Sequence, residues 1–214
     1  MIDSYRHKGM RRQLIEELQL KGINNQKVLD AFDKVPRHFF LDSSFMNQAY
    51  TNIAFQIGAG QTISHPYTVA FQTTLLGLER GHRVLEIGTG SGFQTAILCA
   101  IGARVVSIER QKELFIKAKP IITHLGYSPN LFYGDGYKGK VSYAPYDSIL
   151  VTCGAPFIPQ ELKDQLKVGG KLVIPIGGDG KQIMTRLIKL GEDEWKTETF
   201  GDFSFVPMLK KTAK

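Results

Sequence analysis

Cysteine is scarce in this chain: Cys99 and Cys153 are the only two among 214 residues. Two thiols cannot build a disulfide framework, and their wide separation suits neither a metal site nor a redox pair. Both stand in apolar surroundings and are expected to be buried free thiols in a reducing compartment. Long apolar runs are also missing; none approaches the roughly 20 residues that a membrane helix needs. The opening Met1-Ile2-Asp3-Ser4-Tyr5-Arg6-His7-Lys8 carries no apolar signal core. A cytoplasmic protein with no membrane partner is therefore expected. The net charge is +7, yet the basic residues are scattered, apart from Arg6 to Arg12 and the tail with Lys210, Lys211 and Lys214. No basic stripe with interleaved aromatics occurs, so no nucleic-acid partner is expected. There is no Gly-Lys-Ser/Thr phosphate loop, which argues against triphosphate chemistry. With 43% hydrophobic and 22% charged residues the chain has the composition of a folded globular domain. No repeat or domain boundary stands out, and a single domain over 1–214 is expected. Residues 1–80 would supply N-terminal helices and a functional loop, and 81–214 an α/β core.

What the chain does have is rhythm. Met10, Leu14, Ile15 and Leu18 form a helical stripe ending at Gly22. Asn25 can cap a second helix, with Val28, Leu29 and Phe32 on one face, which stops before Pro36. Residues 37–66 read as irregular, and a connection that long in a compact domain points to function. Thr68 to Leu78 reads as a helix. Strands at Val84–Ile87, Val105–Ile108, Leu131–Tyr133, Tyr146–Thr152 and Lys171–Ile176 then alternate with helices. The helices are expected at Phe93–Ala100, Lys112–Leu125 and Gln160–Leu166, with Val168-Gly169-Gly170 as a turn. Met184–Leu190 and Trp195–Phe205 look like a closing pair of strands. This alternation predicts a doubly wound, mostly parallel sheet with helices on both faces and an antiparallel edge.

Within that frame, Val84-Leu85-Glu86-Ile87-Gly88-Thr89-Gly90-Ser91-Gly92-Phe93 is the most informative stretch. It reads as a strand, a tight glycine turn and a helix N-terminus, where α/β folds bind nucleotides. Glycine is needed where the backbone takes positive φ or lets a ligand approach the main chain. The dinucleotide pattern G-x-G-x-x-G fails, because Phe93 stands at its third glycine. Glu109 ends the next strand about twenty residues on, the distance at which an acid can accept ribose hydroxyls. Glu86, Glu109, Asp135 and Thr152 all fall at carboxyl ends of strands, the edge where such sheets bind ligands. Three acids there suit a cationic ligand rich in hydroxyls and amines. Asp135 could accept from an adenine amine, although Gly134-Asp135-Gly136 is also an ordinary turn. Glu86 would act by electrostatics and by ordering the turn. Upstream, Ser64 adjoins His65, but neighbouring residues rarely point at each other, and no G-x-S-x-G elbow surrounds this serine. On the residues alone, Ser64 reads as the cap of a helix starting at Pro66 or Tyr67.

The pattern E-x-G-x-G-x-G resembles motif I of the S-adenosylmethionine-dependent methyltransferases. Gln61-Thr62-Ile63-Ser64-x-Pro66 ahead of it resembles the protein-L-isoaspartate (D-aspartate) O-methyltransferase family. Val35-Pro36-Arg37 with Phe40, Pro145-Tyr146-Asp147, Thr152 with Ala155-Pro156, Gln165 to Gly170 and Phe205-Val206-Pro207 follow in the family's order. The similarity spans nearly the whole chain. Departures are Cys153-Gly154 where alanines are usual, Asn52 for Asp, and Met208 for Leu. The resemblance implies a Rossmann-like class I methyltransferase. It would transfer a methyl group from S-adenosyl-L-methionine to the free α-carboxylate of L-isoaspartyl residues in damaged proteins. It implies Ser64 as the catalytic residue and Ser64, Val206 and Pro207 as substrate-binding residues. Cofactor contacts would come from Thr62, Ile63, Glu86, Gly88, Thr89, Gly90, Ser91, Gly92, Glu109, Asp135, Gly136 and Thr152, with no metal. Arg37 would attract the anion or form a structural salt bridge. A monomer is expected, with oligomers left open. The alternatives are another class I methyltransferase acting on RNA or a small molecule, and a non-catalytic nucleotide-binding module. Against the first, there is no Asn/Asp-Pro-Pro-Tyr-like loop, and Cys153 has no catalytic setting.

Overall fold

The structure, a computed structural model, describes residues 1–178 and 180–213. Its centre is a seven-stranded sheet in the order β5-β4-β3-β6-β7-β8-β9. The strands are β3 (Arg83–Ile87), β4 (Arg104–Glu109), β5 (Asn130–Tyr133), β6 (Tyr146–Val151), β7 (Leu166–Ile176), β8 (Gln182–Lys189) and β9 (Trp195–Phe203). Pairing is parallel from β5 through β7, and β8 runs antiparallel to both of its neighbours. The chain winds outward from β3 to β5 and then returns to place β6 beside β3. That reversal opens a crevice at the carboxyl ends of β3, β4 and β6.

The period-two alternation of side chains sends successive strand residues into two cores. Val84, Val105, Leu150 and Val173 pack with Leu75, Leu76 and Leu98 of the helices α3 (Pro66–Leu76) and α4 (Phe93–Ile101). Leu85, Val106, Ile149 and Leu172 face the other way, toward Tyr146 and Leu162, the latter on α6 (Gln160–Asp164). Helix α5 (Lys112–His124) packs against α4, β4 and β5. The strands are apolar on both faces because helices cover both.

Three boundaries differ from the sequence pattern. Helix α1 (Tyr5–Leu20) begins before the apolar stripe, because Ser4 caps it: the Ser4 hydroxyl accepts from the His7 N–H and His7 Nδ1 accepts from the Ser4 N–H. Helix α6 ends at Asp164, and β7 already starts at Leu166. The expected turn at Val168–Gly170 is a bulge inside β7: Tyr146 pairs with Leu166 and Ser148 with Lys171, so residues 167–170 bow out opposite Asp147. Gly169 takes φ +79° there, and the Lys167 ammonium pairs with the Asp147 carboxylate across the bulge.

The segment 37–66 is more ordered than its composition suggests. It holds two 3-10 turns, Arg37–Phe40 and Ser43–Gln48, and an antiparallel hairpin of β1 (Phe55–Gly58) and β2 (Gln61–Ile63). Long-range bonds anchor it. His38 Nδ1 lies 2.7 Å from the Tyr50 hydroxyl, and Arg11 of α1 donates to that hydroxyl and to Asp3. Phe40 and Phe32 pack edge-on against Phe93 at the start of α4. Phe32 comes from α2 (Gln26–Lys34), so the N-terminal helices hold the hairpin over the crevice.

Candidate active site

The crevice is a partly open cleft at the carboxyl edge of the sheet, lined by residues of the hairpin, the glycine turn, the ends of β4 and β6 and the segment after β9. Its floor is the glycine turn after β3. Gly88 and Gly90 have φ +97° and +54°, conformations that glycine adopts without strain. A Cβ on Gly88 would collide with the Thr152 hydroxyl, which donates to the carbonyls of Ile87 (2.9 Å) and Gly88 (2.8 Å). A Cβ on Gly90 would find only Ile57 Cδ1, at 3.6 Å. The protein itself thus leaves room above Gly90, and that room belongs to the cleft.

Glu109 closes one side. Its Oε2 accepts from the Gly90 N–H and its Oε1 from the Gln111 N–H, both at 2.8 Å. Burial raises its pKa despite those bonds. Each carboxylate oxygen keeps a further lone pair for a ligand.

Of the residues expected at the site, Thr62, Ile63, Ser64, Gly88, Thr89, Gly90, Ser91, Glu109, Gly136, Thr152, Val206 and Pro207 line the cleft together. Glu86, Gly92 and Asp135 do not. Glu86 is fully buried beneath the turn, where its Oε2 accepts from the hydroxyls of Thr95 and Ser107. The Thr89 hydroxyl lies 2.6 Å from that of Ser107, so the chain Thr89–Ser107–Glu86 ties the cleft floor to a buried acid. Burial pushes the Glu86 pKa up to about 8. Gly92 supplies the left-handed cap of α4 and packs against Ala118 and Ile122 rather than the cleft. The Asp135 carboxylate accepts from the Tyr137 N–H (3.0 Å) and the Lys211 N–H (2.8 Å). It orders the turn that presents Gly136.

Ser64 is where structure departs most from the local reading. Helix α3 starts at Pro66 with His65 as its N-cap residue, and no side chain of that residue caps it. The Tyr67 N–H donates instead to Asn52 Oδ1 at 2.9 Å, from the far side of the hairpin. Asn52 therefore does the capping. Among the described residues the Ser64 hydroxyl has no hydrogen-bond partner, and Ser64 faces the cleft. His65 is exposed and absent from the cleft wall; partial desolvation of its ring and the Arg37 charge lower its pKa. It forms no dyad with Ser64. Arg37 forms no salt bridge among the described residues; its Nη2 donates to the carbonyls of Ser64 (2.9 Å) and Ile53 (3.2 Å).

At the opposite rim Val206 and Met208 lie along Gly154: the Gly154 N–H donates to the Val206 carbonyl (2.8 Å) and the Met208 N–H to the Gly154 carbonyl (2.7 Å). A Cβ on Gly154 would press on Gln182 at 2.8 Å. Cys153 is half-buried rather than sealed in the core; it lines the cleft, and burial pushes its thiol up to about 12. Cys99 is likewise half-buried and free. Gln72, Gln94 and Arg110 also line the cleft. Sequence reasoning missed both glutamines, because a lone glutamine on a largely apolar helix carries no pattern. Arg110 did carry a signal, its place directly after Glu109 at a strand end.

A family profile described as Protein-L-isoaspartate(D-aspartate) O-methyltransferase matches residues 9–213. A protein-L-isoaspartate O-methyltransferase of Flavobacterium psychrophilum is 57% identical over 211 residues, covering 98% of this chain and 99% of that protein. Among solved structures, one described as protein-L-isoaspartate O-methyltransferase superimposes with a TM-score of 0.84 at 29% identity; the match covers 92% of this chain and 65% of that one. A Plasmodium falciparum structure described as a putative protein-L-isoaspartate O-methyltransferase beta-aspartate methyltransferase, in complex with S-adenosyl-L-homocysteine, gives a TM-score of 0.82 at 25% identity over 96% of this chain and 99% of that one. Full-length similarity at this level, on a class I methyltransferase fold, establishes that the chain belongs to the protein-L-isoaspartate(D-aspartate) O-methyltransferase family.

Proposed function

We infer that the chain works as its family does: it is an S-adenosylmethionine-dependent protein-L-isoaspartate O-methyltransferase. S-adenosylmethionine, when bound, supplies an electrophilic methyl group on a sulfonium. The acceptor is the free α-carboxylate of an L-isoaspartyl residue, which is ionised near neutral pH, so no general base is needed. The protein's task is to align carboxylate and methyl, which is catalysis by positioning. Ser64 donates its hydroxyl to one carboxylate oxygen and leaves the other to attack. Glu109 accepts from the ribose hydroxyls, and Gly88, Thr89, Gly90 and Ser91 carry the cofactor close to the main chain. Thr62, Ile63, Gly136 and Thr152 complete its walls. Glu86 and Gly92 shape the turn from below, and Asp135 acts through the turn it orders. Val206 and Pro207 offer extended main chain to the substrate peptide, which tolerates many flanking sequences. The methyl ester then collapses to a succinimide, part of which reopens as normal aspartate. The whole chain, 1–214, acts as one monomeric, cytoplasmic unit on damaged proteins, without nucleic-acid or membrane partners.

The observation that carries this reading is Ser64: a serine relieved of helix capping by Asn52 and lining the same cleft as the glycine turn and Glu109. The test is methyl transfer to a synthetic isoaspartyl peptide beside its normal aspartyl twin. Only the first is methylated, and the product is a base-labile ester that releases methanol. Stable methylation of lysine or nucleic acid would contradict the assignment.

A further inference from the structure

Arg37 is among the largest fully buried side chains of the described residues, at 1% exposure. A buried guanidinium is ordinarily matched by a carboxylate. Arg37 has none among the described residues. Its Nη2 donates to two carbonyls, of Ser64 and Ile53, while Nε and Nη1 are buried without a partner. Its guanidinium carbon also lies over the Phe93 ring, 4.9 Å from the ring centroid. Phe93 and Ser64 both line the cleft. A cation held this way costs stability, and burial pulls its pKa down to about 9, still charged at neutral pH. A structural tether alone would not require that charge, since a neutral amide can donate to a carbonyl.

We propose that Arg37 is a positioning residue for methyl transfer: it clamps the Ser64 carbonyl, and so aims the Ser64 hydroxyl, and its uncompensated charge selects an anionic acceptor at that hydroxyl. The inference rests on the reading of Ser64 given above. Arg37 does not touch the acceptor. It acts through Ser64 and through a field that salt screens weakly, because the charge is buried. The acceptor's own negative charge offsets the Arg37 charge at a distance, without contact. This explains how a cleft containing the acid Glu109 can nevertheless take a carboxylate substrate.

The test measures binding of two peptides to the enzyme saturated with S-adenosyl-L-homocysteine: an isoaspartyl peptide and the same peptide with its α-carboxylate converted to the carboxamide. The wild type is expected to prefer the carboxylate by about 10-fold or more, the range for a hydrogen bond involving a charged group. Arg37→Gln keeps an amide donor for the carbonyls and removes the charge. It is expected to shrink that preference toward unity and to raise KM for the isoaspartyl peptide about 10-fold. Its kcat should fall less than its kcat/KM, and its cofactor affinity should stay within about 3-fold. Arg37→Lys, which keeps the charge, is expected to restore most of the preference. A wild type with less than 2-fold preference overturns the proposal without any variant. So does a folded Arg37→Gln that keeps both preference and KM. If Arg37→Gln does not fold, Arg37→Lys decides: loss of the preference in a folded lysine variant overturns it. Failure of the enzyme reading looks different, since the wild type would then leave the isoaspartyl peptide unmethylated.

Discussion

Replacing Ser64 by alanine separates two jobs that one hydroxyl before a helix can hold. If Ser64 capped α3, alanine would cost about 1 kcal/mol of stability and spare catalysis. The structure gives the capping bond to Asn52 Oδ1, 2.9 Å from the Tyr67 N–H. Ser64→Ala is therefore expected to leave stability within about 0.5 kcal/mol of wild type, as for a side chain with no bond to lose. Asn52→Ala should lose about 1 kcal/mol, a fall in Tm of about 2–4 °C for a domain of this size. Activity should move the other way. Ser64→Ala removes a charge-assisted hydrogen bond to the acceptor carboxylate, about 1.5–3 kcal/mol, or roughly 10- to 150-fold in kcat/KM. Asn52→Ala should retain most of its turnover. The assay is methyl transfer to an isoaspartyl peptide at saturating S-adenosylmethionine, with thermal unfolding of each variant alongside. Wild-type turnover in Ser64→Ala would refute the reasoning, and so would a Tm loss in that variant matching that of Asn52→Ala.

Three further outcomes are expected. Glu109→Ala should weaken S-adenosylmethionine binding by about 1–3 kcal/mol by calorimetry, with unchanged affinity in a folded variant counting against its place on the ribose. It also frees the Gly90 N–H, which now donates to Glu109, so Glu109→Gln serves as the control that keeps an acceptor. Gly90→Val should abolish cofactor binding while far-ultraviolet dichroism stays near wild type, because the position has φ +54° but little protein above it. Normal binding in that variant would show that the turn does not meet the cofactor. Glu86 adds a pH dependence to stability: its pKa rises from the ordinary 4.5 to about 8 on folding, so the folded state holds a proton that the unfolded chain releases. Its contribution is complete below pH 4.5 and is lost as pH rises through about 8. Glu86→Gln, neutral throughout, should flatten the fall of Tm between pH 5 and pH 8, and parallel curves would argue against a protonated Glu86.

Much of the fold is legible in the chain because its signals are local. The strands β3, β4 and β6 are short apolar runs, the turn after β3 is marked by glycines at 88, 90 and 92, and Glu109 stands at a strand end. Backbone preference and apolar alternation act over a few residues and can be read there. The bulge at residues 167–170 escaped that reading, since Val168-Gly169-Gly170 is a good turn in isolation. Only pairing with β6 on both sides makes it part of a strand. The site divides in the same way. Local sequence determined which residues are able to bind: the glycines, the acids and the Ser64 block. Tertiary structure decided which of them reach the cleft. Glu86 alternates into the core and Glu109 faces the ligand edge. Asp135 stays out of the cleft wall and holds the backbone N–H groups of Tyr137 and Lys211. Ser64 is released from capping by a residue twelve positions earlier in the chain, and its carbonyl is held by an arginine 27 positions earlier. Those assignments depend on hydrogen bonds across the fold, and a buried donor or acceptor takes the partner that packing brings to it, whatever its sequence neighbours would favour.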